Sequence, residues 1–278
     1  MGVMTPEAPA VVRLPSAGGL VRLTGPTSIT TALAESLSSL RIREILPIID
    51  VTLSPDARTA DGVVNGDRMW SVALAPGTPV GTLLGQIVGT LTTLLAESLF
   101  VHAGVVGFDG RGMILVGESG AGKTSTVAAL LRRGATYLSD EVALLDPSAG
   151  VVMPFAIPMA VKPWTRKAAG ALPPGRAVVR EGDVEFWLPN DREMRPIKVD
   201  TFVLLRHAGP GTRLSPISRA ALLLALAQHV SSFKQRHRLP QAFAGFTRLL
   251  RNARCMVLET TRPAARADLL ATFGRRSG

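Results

Sequence analysis

Three glycines, a lysine and a threonine lie close together in the stretch MILVGESGAGKT, residues 113–124. The stretch satisfies the pattern G-x-x-x-x-G-K-[ST], in which Gly117 and Gly122 are the two fixed glycines. Glycines let the chain turn so that successive backbone N–H groups point inward, and such groups at a helix N-terminus bind an anionic phosphate chain. The alternative is a glycine-rich turn that caps a helix and binds nothing. The residue types therefore point to phosphate chemistry, provided that the neighbouring elements support it.

The segments on both sides of this loop favour phosphate binding. Met113 to Val116 is an apolar run that predicts a buried strand, and residues 124–133 carry apolar side chains at helical spacing. Strand, glycine-rich loop and helix is the arrangement that this P-loop (Walker A) motif requires. We therefore predict that Lys123 reaches the β- and γ-phosphates of ATP and that the Thr124 hydroxyl holds Mg²⁺. The predicted nucleotide-binding residues are Gly117, Glu118, Ser119, Gly120, Ala121, Gly122, Lys123, Thr124 and Ser125.

An acidic pair, Asp140 and Glu141, follows a short β-like stretch that begins where the predicted helix ends. That path returns the chain to the sheet near the phosphates. A nucleotide-dependent enzyme needs groups that complete the Mg²⁺ shell and that deprotonate or orient the nucleophile. Asp140 is a candidate for either role, as metal ligand or as general base for an acceptor hydroxyl, and Glu141 is a further candidate ligand. The alternative is a solvated pair in a loop.

His102 lies near the start of an apolar strand that is followed by the hairpin signal Asp109-Gly110. The returning strand feeds the glycine-rich loop, so His102 is expected to stand near the nucleotide. A histidine at that place can donate a hydrogen bond to a phosphoryl oxygen or shuttle a proton. Taken alone, a histidine in an apolar strand is more often a packed core residue, and this alternative stays open.

Together these segments show a family resemblance. VHAGVV at residues 101–106, followed by GRGMILVGESGAGKTSTVAALLRRGATYLSDEVALL at 110–145, resembles the catalytic domain of the HPr kinase/phosphorylase family. That family has a His on a strand, a short hairpin, a GxSGxGKS loop, an Arg-Gly after the helix and an Asp-Asp pair. Its fold is similar to the nucleotide domain of phosphoenolpyruvate carboxykinase. The resemblance extends over roughly residues 98–162.

The resemblance implies roles for five residues. Lys123 and Thr124 would serve ATP and Mg²⁺, and Asp140 would be the catalytic acid/base. Glu141 matches the second Asp of the family pair, and His102 matches the family's conserved His. The implied fold is therefore an α/β P-loop kinase domain similar to HPr kinase.

The chain departs from the family after residue 150. The signature that reads like RGLGI is absent, and MPFAIPMAVKP at residues 153–163 stands in its place. This resembles a divergent branch of HPr-kinase-related proteins, which includes lasso-peptide kinases that phosphorylate a Ser of a precursor peptide. HPr as substrate and the phosphorylase half-reaction are therefore not carried over to this chain.

Composition limits the partners. The formal net charge of +10 favours nucleotide phosphates, an acidic peptide, nucleic acid or an anionic membrane surface. Aromatic residues make up only 5% of the chain and are not interleaved with Lys or Arg, which argues against nucleic-acid stacking.

No run of 18 apolar residues predicts a membrane span, and no signal-peptide pattern begins the sequence. A cytoplasmic protein is the expectation, and the single cysteine, Cys255, excludes an internal disulfide and predicts a buried strand residue.

Two regions are expected along the chain. Residues 1–95 predict a small N-terminal α/β region with a long, buried helix at about 80–98, and residues 96–278 predict the catalytic domain. Residues 165–195, rich in Pro, Gly and charge, are predicted to be irregular. Later elements are expected as strands at 198–206 and 255–259 and helices at 216–230, 241–252 and 264–273.

Basic side chains outside the loop have two interpretations. Lys162 and Arg206 are candidates for neutralising phosphate charge, although a surface cation is the commoner role for each. The run KQRHR at 234–238 and the row Arg248, Arg251, Arg254 are either solvated faces or a docking surface for an acidic peptide or protein.

The sequence therefore predicts an ATP- and Mg²⁺-dependent kinase. The expected acceptor is a Ser or Thr hydroxyl of a peptide or small protein, with a small molecule as a further option. The alternative is a nucleotide-binding regulatory or partner protein with slow ATPase activity or none. The kinases that the chain resembles form hexamers, so a homo-oligomer stays open.

Overall fold

The computed structural model describes residues 10–13, 20–40, 47–95, 98–207, 211–229, 239–260 and 263–275. The chain divides into two compact units. Unit 1 comprises Met1–Ala96 and Ala177–Phe186, and unit 2 comprises Glu97–Arg176 and Trp187–Gly278. Strands and helices are numbered separately, each in chain order.

Unit 1 is built on a five-stranded sheet in the order β1-β2-β3-β4-β5. The strands are β1 (Ala10–Arg13), β2 (Leu20–Thr24), β3 (Ile49–Leu53), β4 (Thr59–Val64) and β5 (Asp67–Ala73). Strands β2 and β3 are parallel and the other pairs are antiparallel. Two helices accompany the sheet, α1 (Thr27–Leu37) and α2 (Pro79–Leu94). The expectation that the second helix is buried all round is wrong for one face, because Gly85 and Gly89 are exposed.

The N-terminus of α2 is capped by a carboxylate that comes from a distant part of the sequence. The hairpin of β12 (Gly175–Glu181) and β13 (Val184–Pro189) carries Glu181 at the end of its first strand. The buried Glu181 carboxylate accepts hydrogen bonds from the N–H groups of Val80, at 2.6 Å, and Gly81, at 2.9 Å. The carboxylate thus satisfies two amides that have no partner within the helix, and its charge lies at the positive end of the helix dipole.

Replacing Glu181 with alanine is expected to lower the free energy of unfolding by about 1–3 kcal/mol, because two buried amides lose their acceptor. Urea titration measures the loss. Asp183→Asn, in the exposed turn of the same hairpin, is the matched control and is expected to stay within about 0.5 kcal/mol of the wild type. Equal stability of the two variants would show that the cap contributes nothing.

Unit 2 contains an eight-stranded mixed sheet in the order β10-β9-β6-β7-β14-β16-β15, with β8 paired to β6. Strand β14 is parallel to both β7 and β16, and β6 is antiparallel to β7. The strands of the unit are β6 (Leu99–Phe108), β7 (Arg111–Val116), β8 (Thr136–Ser139), β9 (Val142–Asp146), β10 (Val151–Met153), β11 (Met159–Val161), β14 (Ile197–Arg206), β15 (Thr212–Pro216) and β16 (Arg254–Thr260). The helices are α3 (Lys123–Leu131), α4 (Pro163–Ala169), α5 (Arg219–Ala227), α6 (Leu239–Asn252) and α7 (Pro263–Arg275).

Helices cover both faces of the central strands, which is why those strands are apolar nearly throughout. One core places Phe202 and Leu204 of β14 with Leu226 of α5 and Phe246 of α6. The opposite core is formed by side chains of β7, β14, α3 and α7: Leu115, Val203, Val127, Leu130 and Leu270. The unit is thus a three-layer mixed α/β structure, compatible with an α/β kinase fold.

Several local predictions are confirmed. The hairpin β6–β7 turns at Asp109 and Gly110, whose φ angles of 49° and 73° are those of the left-handed region. The strands at 198–206 and 255–259 are β14 and β16, and the three later helices are α5, α6 and α7. Cys255 is buried in β16, as expected. The basic run at 234–238 lies outside the described residues.

The irregular region predicted at 165–195 is wrong. Residues 163–169 form α4, and residues 175–189 form the hairpin β12–β13, which turns at Gly182 with a φ of 55°. The hairpin escaped prediction because its strands carry charged side chains on exposed positions, which gave the sequence a loop-like composition. Among the described residues, the longest apolar helices fall short of what a membrane crossing requires.

Candidate active site

The glycine-rich loop, residues 117–124, connects β7 to α3 at the carboxyl end of the parallel strands. Gly120 and Gly122 have φ angles of 83° and 87°, which side chains other than glycine rarely adopt. A Cβ atom on Gly117 would lie 2.8 Å from the carbonyl oxygen of Leu205, so this glycine allows the loop to pass against β14. The loop shape therefore depends on all three glycines.

The ammonium of Lys123 is buried against this loop. Its Nζ donates hydrogen bonds to the carbonyl oxygens of Gly117, at 2.8 Å, and Glu118, at 3.2 Å. Burial lowers the pKa of Lys123, and the carboxylates of Glu141 and Asp140 oppose this shift. Lys123 thus stands between the loop and the acidic pair, as a cation in a poorly solvated position.

Two further side chains hold loop carbonyls from outside the motif. The ring of His207, directly after β14, contacts the carbonyl oxygen of Gly120 through Nε2 at 3.2 Å. The guanidinium of Arg266, from α7, donates to the carbonyl oxygens of Ala121 at 2.7 Å and Gly122 at 3.4 Å. The loop is therefore fixed by Lys123 from within the motif and by side chains from two other parts of the chain.

Asp140 is only 3% exposed and lies directly after β8. The Tyr137 hydroxyl is 3.0 Å from Asp140 Oδ1 and 2.7 Å from the carbonyl oxygen of Ile157, and the Thr124 hydroxyl lies near the same carboxyl. Burial, followed by the charge of Glu141, raises the pKa of Asp140 to about 7, while the hydroxyls of Tyr137 and Thr124 oppose the rise. Such a carboxyl exchanges protons readily at neutral pH, which suits acid–base chemistry.

Glu141 is stabilised as a carboxylate by His102. Nδ1 of His102 lies 3.1 Å from Glu141 Oε1 and 3.0 Å from the Glu141 carbonyl oxygen. Both partners are acceptors, so Nδ1 carries the hydrogen. Burial raises the pKa of Glu141, but His102, Lys123 and Lys162 outweigh that effect and leave it lowered. Two adjacent carboxyls thus have pKa values that are pushed apart, which assigns the proton to Asp140 and the charge to Glu141.

The predicted site residues converge on one region of unit 2. Lys123 and Thr124 begin α3, and Asp140, Glu141 and His102 face them from β8 and β6 through the contacts given above. Lys162 is exposed, lies 5.1 Å from the ring centre of Trp164, and its charge acts on Glu141. Of the predicted basic row, Arg254 is engaged within the unit, because it pairs with Asp200 and lies 4.1 Å from the ring centre of Phe273.

A cavity of about 270 Å³ adjoins the loop at the carboxyl end of β14. Arg206, the second basic candidate from the sequence, lines this cavity with Glu118, His207 and His229. Burial lowers the pKa of His229, and the charges of Lys123 and His102 add to this shift. His229 is held in place because its carbonyl oxygen accepts a hydrogen bond from the His102 amide at 2.9 Å.

Sequence reasoning missed Tyr137, His207, His229 and Arg266. Tyr137 alone carried a local signal, since it precedes Asp140 by three residues in the same short segment. The other three come from the ends of β14 and α5 and from α7, and nothing in the sequence relates those elements to the loop. Only the parallel pairing of β7 with β14 and the packing of α7 on α3 bring them to it.

The oxygen atoms of the site suit a magnesium ion. Thr124 supplies a hydroxyl, which lies near Asp140, and Asp140 and Glu141 supply carboxylates. Within the described part of the chain, His, Cys, Asp and Glu side chains form no group of three that could hold a metal. Mg²⁺ is usually held by one or two carboxylates together with substrate phosphates, so this small donor set fits an ion that arrives with a nucleotide.

Two substitutions are expected to move the pKa of Asp140 in opposite directions in the metal-free, nucleotide-free protein. Tyr137→Phe removes a hydrogen bond to the carboxylate and should raise the pKa above about 7, whereas Glu141→Gln removes a neighbouring charge and should lower it. NMR titration of the Asp140 side-chain carboxyl carbon measures both shifts. Shifts of the same sign in both variants would contradict the assigned causes.

Comparisons with known proteins give a weak match to a phosphotransferase. No family model matches the chain. Over 81 residues the chain is 37% identical to the HPr kinase/phosphorylase of Lactobacillus delbrueckii subsp. bulgaricus, and the match covers 27% of this chain and 26% of that protein. The chain thus matches about a quarter of the length of this curated relative. Such a match supports a distant relationship to that family at most, and it suggests a kinase or other phosphotransferase activity.

Proposed function

We propose that this chain is an ATP- and Mg²⁺-dependent kinase that transfers the γ-phosphoryl group to a Ser or Thr hydroxyl of a peptide or small protein. The observation that carries the proposal is the place of Asp140. A buried carboxyl with a pKa of about 7 lies near the hydroxyl of Thr124, in the first turn of the helix that follows the glycine-rich loop. A proton acceptor thus lies directly beside the place where phosphates would bind.

Phosphate binding is assigned to the loop, the N-terminus of α3 and Lys123. The loop glycines allow backbone amides to approach an anion closely, and the helix dipole adds positive potential. Lys123 exchanges its bonds to the carbonyl oxygens of Gly117 and Glu118 for bonds to phosphate oxygens. Because the ammonium is already desolvated, this exchange costs less than it would for a hydrated lysine.

The divalent ion is assigned to Thr124 and the ionised Glu141, which leaves the Asp140 carboxyl free for proton transfer. When bound, Mg²⁺ would neutralise charge on the β- and γ-phosphates. Glu141 keeps its charge through His102, so it favours a cation at this position. His102 therefore acts on the site mainly through Glu141, to which it is hydrogen-bonded. Its effect on Asp140 is electrostatic, through the charge of His102.

Proton transfer is assigned to Asp140. As the γ-phosphoryl group moves in line to the acceptor, the acceptor hydroxyl passes its proton to the carboxylate. A base with a pKa near 7 is ionised often enough to accept that proton and basic enough to hold it. Tyr137, which is held by Ile157, fixes the carboxyl so that one oxygen keeps its orientation.

A basic, aromatic surface beside the carboxylates favours a peptide acceptor with acidic residues. Trp164 is 64% exposed, Lys162 stacks on its ring, and Lys167 is exposed on the same short helix. The Lys162 charge reaches Glu141, so this surface borders the reacting groups. Exposed aromatic side chains next to cations are favourable anchors for a partner of opposite charge.

Incubation with γ-labelled ATP and Mg²⁺ tests the proposal. The acceptors are two sets of synthetic Ser- and Thr-containing peptides that differ only in acidic or basic flanking residues. Label on the acidic set is the expected result. Release of inorganic phosphate alone would favour a slow NTPase, and ATP binding without turnover would favour a regulatory nucleotide-binding protein. A protein that does not bind ATP would exclude all three functions.

A further inference from the structure

Arg266 is a buried cation behind the glycine-rich loop. It lies on α7 and is 3% exposed. Its Nη1 donates to the carbonyl oxygens of Ala121 and Gly122 and, at 3.0 Å, to the hydroxyl of Thr126. That hydroxyl donates in turn to the Gly122 carbonyl oxygen at 2.7 Å. The guanidinium therefore organises the last turn of the loop and the first turn of α3 together.

The loop is shaped to receive this guanidinium. A Cβ atom on Gly122 would lie 2.5 Å from Arg266 Nη1, so any side chain at this position would push the guanidinium away from the loop. Gly122 thus serves two needs, because it adopts a φ of 87° and leaves room for the arginine. The second fixed glycine of the motif is matched to a residue far along the chain.

The charge of Arg266 has no acidic partner among the described residues. Burial alone lowers its pKa, and its Nε–H has no hydrogen-bond partner in the part of the chain that the structure describes. A buried cation without a counter-ion is costly, and carbonyl dipoles repay only part of that cost. A phosphate chain on the inner side of the same loop is the anion that would repay more of it.

We propose that Arg266 is a positioning residue for nucleotide binding, which holds the carbonyls of Ala121 and Gly122 outward so that the loop amides face the phosphates. The proposal rests on the proposed function, because it presupposes a nucleotide on the loop. Arg266 does not itself touch the phosphates. It acts through the loop backbone and through its uncompensated positive charge.

The competing role is purely structural: Arg266 would hold α7 against the rest of the unit without any effect on nucleotide binding. A neighbouring ion pair separates the two roles. Asp268 lies on the same helix and touches no part of the loop. Its carboxylate accepts a hydrogen bond at 2.7 Å from Arg133, which lies just beyond the end of α3. Asp268→Ala therefore loosens the contact between these helices and leaves the loop alone.

The test compares Arg266→Met, Arg266→Lys and Asp268→Ala with the wild type. We expect Arg266→Met to weaken ATP binding at least tenfold and to raise KM for ATP more than it lowers kcat. Arg266→Lys should recover part of the affinity, because it keeps the charge and one donor. Asp268→Ala should bind ATP as the wild type does. Amides 117–124 of Arg266→Met, without nucleotide, should exchange hydrogen faster than those of Asp268→Ala.

Thermal unfolding accompanies each measurement. If Arg266→Met is folded and binds ATP like the wild type, the proposal is overturned. It is also overturned if Arg266→Met and Asp268→Ala lose affinity equally. If Arg266→Met does not fold, ATP binding by Arg266→Lys is compared with that by Asp268→Ala instead. Weaker binding in Arg266→Lys supports the proposal, and equal binding overturns it. Failure of the proposed kinase function would give a different result. ATP affinity would still depend on Arg266, but no acceptor would become labelled.

Discussion

Replacing Asp140 with asparagine is expected to abolish phosphoryl transfer while ATP binding is retained. Asparagine fills the same buried space and can bond to Tyr137, but it cannot accept the proton of an acceptor hydroxyl. Loss of a general base typically lowers the rate by about 10²–10⁴-fold. Single-turnover transfer of labelled phosphate and ATP binding by calorimetry measure the two effects separately.

The control for this substitution is Asp109→Asn. Asp109 lies in the exposed turn of the β6–β7 hairpin, at the end of β7 opposite to the loop, and asparagine tolerates its positive φ. Its transfer rate should equal that of the wild type. A wild-type rate in Asp140→Asn would exclude Asp140 as the base, and a loss of ATP binding equal to the loss of transfer would make it a binding residue.

The same substitution has a consequence for stability that depends on pH. The folded protein holds the Asp140 proton more tightly than the unfolded chain does, since its pKa is raised to about 7. Ionisation therefore costs the folded state nothing below about pH 4 and has its full cost above about pH 7. Asp140→Asn removes that cost, so it should be more stable than the wild type by on the order of 4 kcal/mol at pH 8 and should lose this advantage at pH 4.

Lys123→Met is expected to remove nucleotide affinity and transfer together. Methionine occupies the buried space of the lysine stem but offers no charge to the β- and γ-phosphates. We expect kcat/KM for ATP to fall by about 10²-fold or more, as happens when a donor aimed at developing charge is lost. Unlike Asp140→Asn, this variant should show weak ATP binding in calorimetry as well as slow transfer.

Lys198→Met is the matched control for that loss. Lys198 is an exposed lysine at the start of β14, where its backbone lies opposite Arg111 at the beginning of β7. Both residues therefore lie at the end of these strands that is farther from the loop. It should bind ATP normally. Equal losses in both variants would show that net charge, which the two substitutions reduce alike, governs binding. Normal affinity in Lys123→Met would contradict the assignment of Lys123.

Local chemistry made much of the fold predictable. The Asp109-Gly110 turn specifies the β6–β7 hairpin through backbone conformation, and the glycine spacing around 117–122 specifies a tight loop between a strand and a helix. The strand β14 was predictable because burial on both faces demands a nearly continuous apolar sequence. In each case residues that are adjacent in sequence determine the local structure.

What escaped prediction depends on residues that are far apart in sequence. Asp140 and Glu141 are adjacent and alike, so their contrasting pKa values could not be read from their own types. Burial and the charge of Glu141 raise the pKa of Asp140, whereas His102 lowers the pKa of Glu141 against the effect of burial. The cap that Glu181 places on α2 was hidden for the same reason, since a glutamate in a charged hairpin resembles a solvated one until its partner is known.

The central position of β14 also bears on how the protein folds. Strand β7, which leads into the glycine-rich loop, pairs on one side with its hairpin partner β6 and on the other with residues 198–204 of β14, far along the chain, and β14 pairs in turn with β16. Parallel pairing over such separations closes long loops of chain, which makes it slow compared with the formation of helices or hairpins. We therefore expect the loop to obtain its backing strand β14 late in folding, after the pairing of β6 with β7, β8 and β9 has brought the lysine, the acidic pair and the histidine together.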